Sequence, residues 1–342
     1  AIIFNDSDEI GHGDNGNFTK LKTDGGKMIL GFDIGGTKCA VITANVNGGE
    51  IKLLKKEKCA TRFDISPEEM IDGLIRSAEN ILEGTRPEKI GISCGGPLDS
   101  RNGIILGPPN LPGWDEVHIS ERISRHFGVP ALLQNDANAC AVAEWKFGAG
   151  RGADNMVFLT FGTGLGAGLI LNGRLYTGTN DNAGEAGHIR LERFGPVGYG
   201  KAGSFEGFCS GGGIAKLGCS MALEALQSGR QPAYFKKGMN ESDVTAKAIA
   251  EAADAGDETA INVYRVCGEH LGAGLSVLID ILNPEKIVIG SVFARSEHLL
   301  RKYAEEVIAN EALPQAAKCC KIVPAELGEK IGDYAAIATA LL

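Results

Sequence analysis

Long apolar runs are missing from this chain: no segment reaches the roughly 20 residues that a membrane-crossing helix needs, and no signal-peptide pattern opens the sequence. Basic clusters are missing as well. Lys and Arg number 34 against 43 Asp and Glu, for a net charge of −9, so bulk attraction to nucleic acid or to an anionic membrane is not expected. The nine cysteines, at positions 39, 59, 94, 140, 209, 219, 267, 319 and 320, form no CxxC pair and no metal-ligand spacing. Odd in number and scattered, they read as buried free thiols of a reducing cytosol. These absences predict a soluble, cytoplasmic protein.

Two better-known phosphate loops are also lacking. A P-loop needs Gly-Lys-Ser/Thr opening a helix, whereas the order here is Gly36-Thr37-Lys38 and a strand-like segment follows. A dinucleotide fingerprint would need a helix after Gly162-Thr163-Gly164, but residues 166–171 read as a second strand. What is present instead is one design used twice, about 127 positions apart: residues 30–42 (LGFDIGGTKCAVI) and 157–169 (VFLTFGTGLGAGL). Each runs strand, glycine turn, strand, with Asp33 and Gly35 falling opposite Thr160 and Gly162. Either stretch alone also reads as an ordinary β-hairpin. As a pair, glycine turns that admit backbone N–H groups close to an anion suggest a polyphosphate held from two sides, and hence a nucleotide-using enzyme of two lobes. The negative net charge does not oppose this, because magnesium and local backbone dipoles handle phosphate charge.

With 342 residues and 44% apolar content, the chain suits two domains or one large one. Residues 1–27, rich in Gly, Asp and Asn, read as a flexible arm. From Met28 three strands are expected, then a helix over 66–83 opened by Ser66-Pro67-Glu68-Glu69, a buried strand at 89–93, a helix near 120–127 and a strand at 131–133. The second half repeats the theme, with hairpins over 156–176 and a glycine-rich loop over 195–213. Helices are expected over 215–227, 244–255, 258–282, 297–310 and 331–342, and strands at 286–289 and 321–325. Hairpins followed by βα units predict a mixed α/β sheet, built twice. The expected domains are an N-terminal lobe over 28–134, completed by about 325–342, and a C-terminal lobe over 135–324.

A polar set accompanies these turns. Asp136 lies between an apolar strand and a small-residue helix, where the helix dipole favours a carboxylate by about 0.3–1 kcal/mol. It reads either as an N-cap or as the base that accepts the proton of an attacking hydroxyl. Glu185 and His188 sit three apart in a glycine-flanked loop, and Glu206 follows in another. With Asn110 and Asn135 they make a neutral-to-acidic group suited to the hydroxyls of a polyol. No second His or Cys lies at ligand spacing beside His188, which disfavours a metal there.

The run LGFDIGGTK, then GGPLD, PPNLPGW, NDANACAVAEW, FGTGLGAGLILNGRLYTG, EAGHI and ILNPEKIVIG, over nearly all of residues 29–342, resembles the ROK family of sugar kinases and repressors. The resemblance implies α/β architecture of the two-lobed actin-like ATPase (ribonuclease H-like) fold, with duplicated βββαβαβα-type domains and with ATP and sugar in the cleft between them. It implies ATP and Mg²⁺ as cofactors, Asp33 toward the metal, and Gly35, Gly36, Thr37 and Lys38 on one side of the triphosphate. Gly162, Thr163 and Gly164 would hold the other side. Gly290 would pack near the adenosine, although Ser291 stands where the family commonly has another glycine. Gly96, Asn110, Asn135, Asp136, Glu185, His188 and Glu206 would bind the sugar, with Asp136 as base for its 6-hydroxyl. A homodimer or homotetramer is implied too.

One departure stands out. Most members carry CxCGxxGCxE after the GH motif and bind zinc with the histidine. Here Val197, Tyr199 and Ser204 occupy the three cysteine positions, and none of them replaces a thiolate. No structural zinc is expected; packing of Tyr199 and Phe205 is expected to hold the loop instead. The expected activity is glucokinase-like, with an N-acetylmannosamine or N-acetylglucosamine kinase as the alternative. A further alternative is a sugar-responsive regulator lacking its DNA-binding domain. The 28 residues up to the first core strand have no helical period and no basic cluster, so nucleic acid is not an expected partner of the chain as given.

Overall fold

Met28, Ile29, Leu30, Phe32 and Ile34 are all buried, as a strand covered on both faces requires. In the computed structural model, which describes residues 26–342 except 237, they belong to β1 (Lys27–Ile34). The strand thus begins at Lys27, inside the stretch read as an arm; residues 1–25 of that arm lie outside the described residues. β2 (Lys38–Asn47) and β3 (Glu50–Ala60) continue as an antiparallel meander. α1 (Pro67–Leu82) opens with a complete capping box, Ser66 with Glu69, and buries Met70, Ile71, Leu74, Ile75, Ala78 and Leu82 along one side. After β4 (Lys89–Cys94) come the short pair β5 (Leu98–Asp99) and β6 (Ile104–Ile105), α2 (Ile119–Phe127) and β7 (Ala131–Asn135). The sheet order is β3-β2-β1-β4-β7, with β1, β4 and β7 parallel.

Residues 26–135 form one compact unit together with Gly332–Leu342. Within it the C-terminal helix (Ile331–Thr339) lies directly on the sheet: a Cβ at Gly91 would overlap the carbonyl oxygen of Ala336. Asp136–Ile331 form the other unit. It contains α3 (Asp136–Phe147), β8 (Met156–Leu159), β9 (Ala167–Leu171), β10 (Arg174–Tyr176), β11 (Val197–Gly198), β12 (Lys201–Ala202) and α4 (Phe205–Phe208). Then follow α5 (Gly211–Gln227), α6 (Ala246–Asp254), α7 (Glu258–Leu282), β13 (Lys286–Ile289), α8 (Val292–Glu311), α9 (Pro314–Cys319) and β14 (Lys321–Pro324). The larger sheet here runs β10-β9-β8-β13-β14, with β8, β13 and β14 parallel and β9 and β10 antiparallel. Strand order and sense therefore repeat those of the first unit.

Among the differences from the sequence reading are three helices. α5 starts at Gly211 rather than 215, because Ser210 Oγ caps it by accepting from the Gly213 N–H at 2.9 Å. Its glycines serve close packing, since a Cβ at Gly213 would overlap the carbonyl oxygen of Gly207. α8 starts at Val292 and absorbs a non-helical Ser296 (φ −125°, ψ 25°), so its first turn was invisible to a 3.6-residue period. α9, with Pro314 at its start, was not foreseen; one and a half turns carry too little periodicity to register.

α3 shows how a helix with no apolar stripe can still be core. Ala137 to Ala143 are all buried, and so is the Glu144 carboxylate, at 0% exposure. That charge is matched by three backbone donors: Ala149 N at 2.8 Å, Leu327 N at 2.9 Å and Glu326 N at 3.2 Å. Among the described residues no helix is long and apolar enough to cross a membrane.

Candidate active site

In the first unit the site residues sit where strands β1, β4 and β7 end, the position at which open α/β sheets place their ligands. The turn after β1 is narrow. Gly35 N–H donates to Lys38 O at 3.2 Å, Thr61 Oγ1 donates to Gly35 O at 2.6 Å, and Thr61 N–H donates to Thr37 O at 3.0 Å. Thr37 is exposed at its tip, while Asp33, Gly35, Gly36 and Lys38 are half-buried. A Cβ at Gly36 would overlap the carbonyl oxygen of Asn110, so only glycine lets this turn lie against that residue. The same holds more gently nearby: a Cβ at Gly96 would stand 3.0 Å from Asn135 Nδ2, and one at Gly95 would stand 3.4 Å from Asn110 Oδ1. Gly36, Gly96, Asn110 and Asn135 are thus brought together. Asp33 completes this end of the sheet, its Oδ2 3.0 Å from where a Cβ on Gly332 would be.

In the second unit the turn between β8 and β9 is tied down by its own backbone and by α5. Thr160 N–H donates to Gly166 O at 3.0 Å, Gly166 N–H returns to Thr160 Oγ1 at 2.9 Å, and Gly162 N–H donates to Gly164 O at 2.9 Å. The carbonyls of Gly162 and Thr163 are taken by Gly211 N–H at 2.7 Å and Gly212 N–H at 3.4 Å. The loop's acceptors are therefore turned onto the start of a helix. Gly290, at the end of β13, is packed beneath: a Cβ there would be 3.4 Å from Thr160 O. Ser291 Oγ is 3.7 Å from the missing Cβ of Gly162, so Gly162, Gly290 and Ser291 are neighbours.

The acidic group of the second unit is also assembled. Asp136 is the first residue of α3 and half-buried, and its Oδ1 accepts from Ala137 N–H at 2.8 Å. Glu185 leads into a 3₁₀ turn (Ala186–His188). Its carboxyl is raised above the ordinary range, first by burial of the carboxyl end; His188 opposes this, and the charges of Asp136 and Glu206 add to it. The residue as a whole is still open to solvent. The backbone that carries these side chains is packed together: a Cβ on Gly187 would overlap Leu165 O and lie 3.2 Å from Glu206 Cβ, and one on Gly166 would lie 3.4 Å from Ala137 Cβ. Glu206 does something the sequence did not reveal. Its Oε2 accepts from Leu165 N–H at 2.9 Å and would be 2.7 Å from a Cβ on Gly164, so it braces the glycine loop.

The loop that lacks the three cysteines is not held as expected. Phe205 is fully buried, but Tyr199 is 76% exposed. Tyr199 (φ 42°) and Gly200 (φ 76°) are the two central residues of the tight hairpin between β11 and β12, and such a tip points away from the body that carries it. Polar ties hold the loop instead: Arg190 to Ala202 O at 2.6 Å, Lys201 Nζ to His188 O at 2.7 Å, Lys216 Nζ to Val197 O at 2.7 Å, and Ser204 Oγ capping α4 through Gly207 N–H at 3.1 Å. His188 is exposed, and its ring meets Tyr199 edge-on with centroids 6.5 Å apart. Among the described residues no cluster of three or more His, Cys, Asp or Glu side chains is arranged to hold a metal ion. Magnesium carried by a nucleotide asks for less, since one or two carboxylates and the phosphates suffice. Asp33, a half-buried oxygen donor beside a glycine turn that a Cβ would fill, fits that demand.

Known proteins resemble this chain over most of its length. The glucokinase of Halalkalibacterium halodurans is 33% identical over 315 residues, covering 90% of this chain and 92% of that protein. The crystal structure of a ROK family glucokinase from Streptomyces griseus, in complex with glucose and AMPPNP, superposes with a TM-score of 0.71 at 28% identity, over 92% of this chain and 99% of that one. A ROK family transcriptional regulator, a homologue of the E. coli MLC protein, superposes with a TM-score of 0.79 at 27% identity, over 93% of this chain and 79% of that one. The sequence pattern of the ROK family itself matches residues 29–341. With that match spanning both sheets and both glycine turns, the chain belongs to the ROK family and has its α/β, actin-like ATPase fold.

Proposed function

We propose that this chain is a sugar kinase that transfers the γ-phosphoryl group of ATP to the 6-hydroxyl of a hexose, glucose or a close relative. The observation that carries the reading is the gathering of Asp136, Glu185, His188 and Glu206 beside the loop of Gly162, Thr163 and Gly164, with Glu206 bonded to that loop. An acceptor group and a phosphate turn are thus parts of one packed structure. The glucokinase relatives support the same assignment.

Asp136 is the base. Its carboxylate stands at the head of α3, where it accepts the proton of the attacking hydroxyl and orients that oxygen. Because phosphoryl transfer passes through a loose transition state, orientation of the nucleophile matters more than the strength of the base. Asn110, Asn135, Glu185, His188 and Glu206 exchange hydrogen bonds with the remaining hydroxyls. Gly96 lies against Asn135 on the acceptor side, with no Cβ between them. Gly35, Gly36, Thr37 and Lys38 belong to one phosphate turn, Gly162 to Gly164 to the other, and Gly290 underlies the second. Asp33 would hold the magnesium that comes with the triphosphate, and the metal would supply charge neutralisation at the phosphate oxygens. The reaction is assigned to the cytoplasm, where ATP is available and thiols stay reduced, and to a homodimer or homotetramer.

The test is ADP release with Mg·ATP over glucose, mannose, fructose, N-acetylglucosamine and N-acetylmannosamine, with Asp136→Asn as control. The Asn side chain keeps an oxygen for Ala137 N–H but cannot take a proton, so kcat should fall by about 10²–10⁴-fold with the fold intact. Activity on none of these sugars, or equal activity in the variant, would sink the reading. The regulator with the same fold supplies the second reading; sugar binding without ADP release would favour it.

A further inference from the structure

α4 is a single turn of four residues, too short to keep its own geometry, yet it carries Glu206. Its two aromatic residues, Phe205 and Phe208, both seat on α7. Phe205 fills the space that a Cβ on Gly274 would need. Phe208 lies flat against His270, with ring centroids 3.6 Å apart and an interplanar angle of 13°. His270 and Gly274 are one turn apart on α7, hence on the same face. The tip of the Phe208 ring is closed off by backbone, because a Cβ on Gly195 would overlap its Cζ.

The imidazole is itself fixed. Its side chain is only 17% exposed, Nδ1 donates to Val266 O at 2.7 Å, and Nε2 is 3.9 Å from Glu192 Oε1 at the head of the same loop. Ring stacking of this kind adds to area burial and so restrains a helix that is only one turn long. We propose that His270 is a positioning residue: by clamping Phe208 it orients α4, and so holds the Glu206 carboxylate on Leu165 N–H and on the sugar. This rests on the reading of Glu206 as a sugar-binding residue, but its structural half does not need substrate.

The test compares His270→Ala, which removes the ring, with His270→Phe, which keeps a flat ring for Phe208. Two quantities are read: kcat/KM for the best sugar, and the amide exchange rate of Leu165, measured without substrate. In His270→Ala, kcat/KM should fall by about 10–100-fold, chiefly through KM, and Leu165 exchange should speed up by about tenfold or more while β8 amides keep their protection. His270→Phe should recover most of both. If His270→Ala does not fold, His270→Gln, which keeps a donor for Val266 O but no ring, supplies the same contrast. Wild-type Leu165 exchange in the ringless variants, or equal loss in His270→Phe, overturns the proposal. Absence of sugar kinase activity in the unaltered chain overturns the function above instead, and leaves the exchange measurement decisive for the clamp.

Discussion

Glu206 Oε2 accepts a hydrogen bond from the backbone N–H of Leu165 at 2.9 Å, joining a residue expected to bind sugar to the loop expected to bind phosphate. A charge-assisted bond of this kind is worth about 1.5–3 kcal/mol. Glu206→Ala should therefore raise KM for both the sugar and Mg·ATP, each by about tenfold or more. Glu206→Gln, which keeps an acceptor for Leu165, should affect the sugar far more than ATP. Steady-state kinetics with each substrate varied in turn separates the two, and an unchanged ATP KM in Glu206→Ala would count against the link.

Gly36 presents a steric prediction. A Cβ there would overlap the Asn110 carbonyl oxygen and lie 2.8 Å from Asn110 Cβ, and neither atom is the end of a flexible side chain. Gly36→Ala should cost about 1–3 kcal/mol of stability through forced displacement and lower kcat/KM for the sugar as Asn110 shifts. Urea unfolding and sugar titration check the two halves.

Ser291 holds φ 48° and ψ −109°, a backbone region that glycine enters at little cost and a side chain does not. Its hydroxyl makes no capping bond to α8. Ser291→Gly should therefore stabilise the protein by about 1 kcal/mol, net of the greater entropy of glycine in the unfolded chain. Thermal melting with and without nucleotide is the measurement, and a lower Tm would contradict it.

Glu185 sets a pH dependence. Its folded-state carboxyl lies above the ordinary value of 4.5, so the folded chain binds a proton more tightly than the unfolded chain does. The associated stability is fully present below pH 4.5 and is lost as pH rises through the raised value. Glu185→Gln, which cannot ionise, should melt higher than the unaltered chain at pH 8, and the difference should close as pH falls below 4.5. A difference independent of pH would show that the shift has another origin.

Much of this architecture could be read from the residue order. Strand and helix periods are local, so the expected start of β1 and the bounds of α1, β13 and α7 fall within a residue of those observed. Two glycine turns with matching flanks announced the repeat that the two sheet orders then displayed. The site was legible as a set of residue types and less so as a set of roles. Glu206 reads as one more polar loop residue until the chain brings it 41 positions back to Leu165.

The sequence by itself determined which segments are strands, where the tight turns fall, and that the loop after His188 has Val197, Tyr199 and Ser204 in place of thiolates, because each of these depends on residues a few positions apart. Only the tertiary structure decided that Tyr199 stands in solvent, that α5 begins among glycines, and that Phe208 is stacked on His270. Those outcomes depend on which backbone comes within a Cβ radius of which ring, a distance that folding sets between segments far apart in the chain.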